Sequence, residues 1–111
     1  MHNKETFGEV IRQLRESQGL PIRKVAAHLD IDPSTLSKIE RNERSANREH
    51  IRRLSELFDI NEKELLVDYL SDKVSYELLE EENSSEILQV AEEKIKYIRS
   101  KKETQGEIKF K

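Results

Sequence analysis

The feature that most constrains this chain is a pair of short helical patterns at residues 20–42, which follow each other head to tail. The first pattern places its apolar residues on one face, at Ile22, Val25, Ala26 and Leu29. The second begins with Pro33 after the capping position Asp32 and directs Leu36 and Ile39 inward. The turn that joins them covers only residues 29–32, and a short helix of this kind is stable only when other helices brace it.

Helical patterns on both sides supply that brace. Thr6 and Glu9 form a capping-box signature for a first helix, and Gly19 is suited to end it. Asn47 can cap a fourth helix, and Asn61 can cap a fifth that we expect to end near residue 70. No strand pattern competes in this region. The sequence therefore predicts an all-α domain of five short helices over residues 1–70.

The remainder of the chain has a different character. A helical pattern continues past residue 71, stops in the acidic run 80–82 and resumes from Ser85 to about Ser100. The last of these helices carries an apolar stripe at steps of three and four, consisting of Ile87, Leu88, Ala91, Ile95 and Ile98. We therefore expect a helical extension over residues 71–100 and a charged, flexible tail over residues 101–111.

The net charge of −3 is unevenly distributed. Residues 1–60 hold 11 Lys and Arg against 10 Asp and Glu, whereas residues 61–100 hold 5 against 11. The acidic surplus therefore lies in the extension and away from the helix pair. Attraction of a polyanion depends on the local patch more than on the total charge, although two ordinary solvated helical segments would give the same distribution.

Several classes of protein fit the sequence poorly. The chain has no Cys, and its three His residues (His2, His28 and His50) have no acidic or thiol partner at catalytic or metal-ligand spacing. We therefore expect a protein that is not an enzyme and has no cofactor and no metal. The polar start and the lack of a long apolar run favour a cytoplasmic protein without a membrane partner.

Residues 7–66 resemble the Cro/repressor-type helix-turn-helix family, the phage-repressor-like bacterial transcriptional regulators. The matching segments are IRQLRESQGL at 11–20, VAAHL at 25–29 and IDPSTLSKIERN at 31–42. Ala26 fits the crossing point of the two helices, where only a small side chain allows close approach. The resemblance implies the five-helix repressor fold and binding of double-stranded DNA.

The resemblance also implies roles for individual residues. Arg15 and Glu40 stand at the family positions whose salt bridge ties the first helix to the third; the alternative is two surface charges of little effect. Ser34 and Lys38 match positions that read base edges. The exposed face of the third helix as a whole would hold Ser34, Thr35, Ser37, Lys38 and Arg41.

We expect the cations around the helix pair to contact DNA phosphates as a group. The alternative for each one alone is an ordinary solvated charge. These cations are Arg41, Arg44 and Arg48 after the third helix, and Arg23 and Lys24 at the start of the second.

One departure from the family is Pro21-Ile22, where relatives carry a Gln that anchors a phosphate. Ile22 cannot replace that Gln, and Arg23 is a candidate to do so. Asn42 replaces the usual Gly after the third helix, and Asn tolerates the left-handed conformation.

A single small domain of this kind reads few base pairs, so pairing of two copies on a palindromic operator is expected. The stripe formed by Ile87, Leu88, Ala91, Ile95 and Ile98 is the candidate dimer surface; the alternative is that this helix folds back on its own domain. Controllers of restriction–modification systems carry similar helical tails. The competing hypothesis is an antitoxin-like module whose acidic C-terminal helices capture a protein partner.

Overall fold

The computed structural model describes residues 4–105, which form six α-helices and no strand. The helices are α1 (Phe7–Ser17), α2 (Ile22–Leu29), α3 (Pro33–Glu40), α4 (Arg48–Phe58), α5 (Glu62–Leu78) and α6 (Ser84–Gln105). The predicted all-α fold class is therefore confirmed. The described helices include none that is long and apolar enough to cross a membrane.

The helix starts follow the capping signals of the sequence. The Thr6 side chain accepts the Glu9 N–H, and the Glu9 carboxylate accepts the Thr6 N–H, which confirms the predicted capping box of α1. Asn47 forms a similar reciprocal pair with His50 at the start of α4. Gly19, just beyond α1, has a φ of 66°, a left-handed conformation that suits a residue without Cβ.

The core lies among α1 to α5. Its fully buried members come from all five helices and include Ile11, Val25, Leu36, Ile51 and Leu65. Tyr69 closes one side of this core: its ring packs edge-on against Phe7, with the centroids 5.5 Å apart. The amphipathic spacing of short helices thus produces one continuous core.

Gly8 permits the closest approach between α1 and α3. A Cβ built at this position would lie 2.4 Å from the Ile39 carbonyl oxygen and 2.6 Å from that of Glu40. Both obstacles are backbone atoms, so neither can swing aside. The absence of a side chain at Gly8 therefore fixes how closely the C-terminal end of α3 packs against α1.

Helix α5 runs past the predicted domain border at residue 70 without a break and ends at Leu78. The chain separates into two compact units between Tyr76 and Glu77, six residues beyond that border. Asp72 shows why the first unit continues: its carboxylate accepts the Phe7 N–H at 2.9 Å and so ties α5 to the first turn of α1. The predicted roles, DNA binding for residues 1–70 and dimerisation for residues 71–100, stay predictions.

The second unit begins at Glu77, and within its described part α6 is the principal element. This helix continues to Gln105, so the predicted end near Ser100 was placed too early. Lys101, Lys102 and Glu103 are good helix formers, which explains the continuation. The rest of the predicted flexible tail, residues 106–111, lies outside the described residues.

Candidate nucleic-acid interface

The α2–α3 pair is held by a turn that needs no glycine. Asp30 caps α2 in the left-handed conformation, with a φ of 59°, and the Ile31 N–H donates to the Ala26 carbonyl at 3.0 Å. Ala26 itself is completely buried between the helices. Asp32 is the N-terminal cap residue of α3, but its side chain makes no capping hydrogen bond, so the expected side-chain cap is wrong.

Helix α3 has a clearly divided surface. Leu36, Ile39 and Glu40 are buried, whereas Ser34, Lys38 and Arg41 on the opposite side are exposed. Thr35 and Ser37 flank the exposed side and are half-buried. All five predicted DNA-facing residues are therefore at least partly accessible, and the most accessible three are spaced to share one face of the helix.

A buried ion pair holds the C-terminal end of α3 against α1. The Arg15 Nε donates to Glu40 Oε2 at 2.7 Å and its Nη2 donates to Oε1 at 3.1 Å, while Nη1 donates to the Leu20 carbonyl at 3.0 Å. Only 12% of the Arg15 side chain and 4% of the Glu40 side chain are exposed. The hydrogen bonds to Glu40 raise the pKa of Arg15, so the guanidinium stays charged. This bidentate contact fixes the position of α3 on α1.

Hydrogen bonds to Thr6 and Tyr69 hold the backbone of the loop after α3 in place. Asn42 adopts a φ of 63°, as expected, and its side-chain amide donates to Thr6 Oγ1 at 2.9 Å. Further along, the Tyr69 hydroxyl donates to the carbonyl of the buried Ala46 at 2.8 Å. Arg44 and Arg48 project into solvent from this supported segment. The loop can therefore present cations from a fixed backbone.

Two further cations occupy the first turn of α2. Arg23 and Lys24 are exposed there, opposite the buried Val25 and Ala26. Pro21 is the N-terminal cap residue of α2 and provides no side-chain hydrogen bond, whereas Ile22 is half-buried. The start of α2 thus offers cationic side chains to an anion but no polar side chain at position 22.

Arg41 does not project freely. Its Nε donates to Glu43 Oε2 at 2.9 Å, and this exposed pair raises the pKa of Arg41 and lowers that of Glu43. Beside Arg41 lies a cleft of about 230 Å³ lined by Arg12, Arg15, Ile22, Ser37, Glu40 and Arg41. Arg12 was not among the predicted site residues: the predicted Arg15–Glu40 pair places this part of α1 beside α3, but nothing in the local pattern gives Arg12 itself a role.

The apolar stripe of α6 is only partly covered in the single chain. Leu88 is 48% exposed and Ile95 47%, while Ile87, Ala91 and Ile98 are half-buried. No residue of α6 whose exposure the structure describes is buried. The five predicted pairing residues thus form an accessible apolar surface.

Comparison with known proteins points to one family. The helix-turn-helix family model matches residues 11–65, which run from the middle of α1 into α5. A protein of Thermococcus gammatolerans named "Putative HTH-type transcriptional regulatory protein" is 35% identical over 89 residues. These cover 80% of this chain but only 28% of that protein. No solved structure matches the chain. Since the relative is archaeal, the expected bacterial source stays a prediction.

Proposed function

We propose that this chain, which belongs to the helix-turn-helix family, is a sequence-specific DNA-binding transcriptional regulator that acts as a homodimer on a palindromic operator. The observation that carries the proposal is the divided surface of α3. Its buried side is locked by Leu36, Ile39 and the Arg15–Glu40 ion pair, and its other side offers Ser34, Lys38 and Arg41 to solvent.

In this proposal α3 enters the major groove. Lys38 donates to guanine O6 and N7, and Ser34, Thr35 and Ser37 contribute hydroxyl groups that can donate or accept. Hydroxyl groups discriminate weakly between bases, so the sequence-dependent shape of the DNA supplies part of the specificity. Regulation then follows from occupancy of the operator.

Backbone contacts fix the position of α3 in the groove. Arg41, Arg44 and Arg48 approach phosphates from the loop after α3 and the first turn of α4, and Arg23 and Lys24 approach them from the start of α2. Every phosphate that is neutralised releases counterions, so binding must weaken steeply as salt increases.

The dimer is proposed to form through α6. Leu88, Ala91, Ile95 and Ile98 follow a 3–4–3 spacing, which keeps them on the seam of two paired helices. Full burial of three such side chains would contribute about 1.5–3 kcal/mol each, enough to support association. A two-fold dimer would place its two copies of α3 on two half-sites of inverted sequence.

Replacing Lys38 and Arg41 together with Ala tests the assignment of α3. Binding to a duplex selected from a random pool should be lost, while the helical content seen by circular dichroism stays unchanged. Replacing Lys94 and Lys96 of α6 with Ala is the control for loss of positive charge, and it should leave binding intact. Full retention of binding by the α3 variant would remove α3 as the recognition helix.

Replacing Ile95 with Asp tests the dimer surface. A buried carboxylate without a partner is costly, so sedimentation equilibrium should give a monomer. Tyr97 projects from the opposite side of α6 and is 63% exposed, so Tyr97→Asp is the matched control and should remain a dimer. An unchanged mass for the Ile95 variant would contradict pairing through this stripe.

Two more specific functions, control of a restriction–modification system and an antitoxin-like role, are distinguished by the neighbouring genes and by a protein partner. Control of a restriction–modification system predicts an operator beside restriction and methylation genes. The antitoxin-like alternative instead predicts a partner protein that binds the acidic C-terminal helices. A wild-type protein that sediments as a homodimer and binds its operator without a partner would favour the regulator over a pure protein-binding module.

A further inference from the structure

We propose that the cleft between α1, α2 and α3 is a seat for one phosphate of the DNA backbone, with Arg12 as its second cation beside Arg41. This inference depends on the proposed DNA binding and adds a residue from α1 to it. It also assigns a function to Glu16, which holds Arg12 when no DNA is bound.

The charges that line the cleft leave it positive. Three guanidinium groups and one carboxylate surround it, but Glu40 is paired with Arg15, whose three guanidinium nitrogens all donate to Glu40 or to the Leu20 carbonyl. The remaining charges come from Arg12 and Arg41. Ser37 adds a hydroxyl donor to the same wall, whereas Ile22 contributes only an apolar surface. Two guanidinium groups and a hydroxyl match an anion that accepts several hydrogen bonds.

The position of the cleft indicates why the anion is a DNA phosphate. Ser37 lies in α3 and Arg41 is the C-terminal cap residue of that helix, and both line the cleft while lying at or beside the exposed face of α3. A helix placed in the major groove is flanked by phosphates on both sides, because the groove is only about 12 Å wide. A cationic cleft along the edge of α3 would therefore face the backbone.

Both arginines are occupied by exchangeable partners. The Arg12 Nε lies 3.3 Å from Glu16 Oε2, and Arg41 is held similarly by Glu43. All four side chains are more than half exposed, so these ion pairs are weak. Neither Glu16 nor Glu43 lines the cleft. Binding of a phosphate can therefore replace each carboxylate at little cost.

The experiment measures the salt dependence of binding to a mixed-sequence duplex of about 30 base pairs in potassium chloride, for the full chain and four variants. Arg12→Gln should reduce the slope of log K against log salt by about 0.9 per bound subunit and weaken binding roughly three- to tenfold. Arg12→Lys should restore most of the slope, because it restores the charge. Glu16→Gln should strengthen binding, which a purely structural role for Arg12 would not predict.

Arg52→Gln is the matched control. Arg52 also forms an i,i+4 ion pair on a helix, at 2.8 Å from Glu56, but it lines a different cleft near His28 at the end of α2. Its slope should equal that of the wild type. An unchanged slope for Arg12→Gln, with normal wild-type binding, would overturn the phosphate seat and leave the proposed function standing. A wild type that shows no salt-dependent binding would overturn both.

A free phosphate ion is the other source of the same chemistry. Titration of inorganic phosphate into the protein, followed by NMR of the Arg12 and Arg41 side chains, separates the two. Weak binding that competes with the duplex is expected of a backbone seat. Tight binding of inorganic phosphate that leaves the salt slope on DNA unchanged would contradict it.

Discussion

The two compact units of this chain satisfy their apolar residues in different ways. In residues 4–76, Ile11, Leu36 and Leu54 are at most 1% exposed, and five helices share one core. In α6, Leu88 and Ile95 are each nearly half exposed. The first unit therefore buries a core within the chain, although Val67, Val74 and Tyr76 of α5 are about half exposed, whereas none of the residues of α6 whose exposure is described is buried.

This contrast is the basis of the proposed pairing through α6. Polar contacts do not follow it throughout: the Arg15–Glu40 pair of the first unit is buried and bidentate, but Arg12–Glu16 and Arg52–Glu56 of the same unit are exposed, as are Lys96 and Glu92 of α6. In the proposed function, the first unit supplies the fixed geometry that a reading helix requires. The proposed role of α6 is to pair with a second copy, which would supply the other half of a two-fold site.

The largest expected difference between the units concerns their ion pairs. Glu40→Gln should cost about 3 kcal/mol of unfolding free energy, because it leaves the Arg15 charge buried with a poorer partner. Glu92→Gln in α6 should cost less than about 0.5 kcal/mol. Urea unfolding of both variants measures these values. A loss below about 1 kcal/mol for Glu40→Gln would show that the buried pair does not hold α3.

Gly8→Ala should destabilise the first unit by about 2 kcal/mol, because the added Cβ meets the backbone oxygens of Ile39 and Glu40. The sign of this change in unfolding free energy shows whether the helices are in close contact, since Gly→Ala in an unobstructed helix stabilises by up to about 1 kcal/mol. Gln89→Ala, at an exposed site in α6, should change stability by less than about 0.5 kcal/mol. Thermal unfolding compares the two, and a stabilised Gly8 variant would disprove the close approach.

The smallest expected effect is a loss of folding stability at acidic pH, through His50 of the first unit. Burial, with a contribution from the Arg53 charge, lowers the pKa of His50 from its ordinary value of 6.5. The neutral imidazole is needed, because Nδ1 accepts the Asn47 N–H at 3.2 Å. A depressed pKa means that the stabilisation is complete above about pH 6.5 and is lost as the pH falls through the folded-state value. The loss should be about 0.5–1 kcal/mol.

Comparison of wild type with His50→Gln between pH 7.5 and 5 isolates this effect. Gln can accept the same amide without titrating, so the variant should lose less stability on acidification. Equal losses in the two proteins would show that the cap does not respond to protonation. Helix α6 contains no His, so acid should not affect it through this route.

The sequence predicted what depends on local spacing. The apolar periodicity gave the helices, and Thr6, Gly19, Asn47 and Asn61 marked their ends because capping acts over only three or four residues. The contact of Asp72 with Phe7 spans 65 positions, and no local pattern encodes it. The position of Arg12 beside α3 follows from the predicted Arg15–Glu40 pair, but its place in the lining of the cleft required the structure. The Asp32 side chain fits a cap by type alone, and it makes no such bond here.

Dimeric binding of DNA through α3 is tested most directly by a footprint of the wild-type chain on DNA selected from a random pool. Two-fold pairing through α6 with α3 in the major groove predicts two protected half-sites of inverted sequence, on the same side of the DNA. The Ile95→Asp variant should protect them only at much higher concentration. Protection of a single asymmetric site by the wild type, unchanged in that variant, would contradict two-fold pairing through α6.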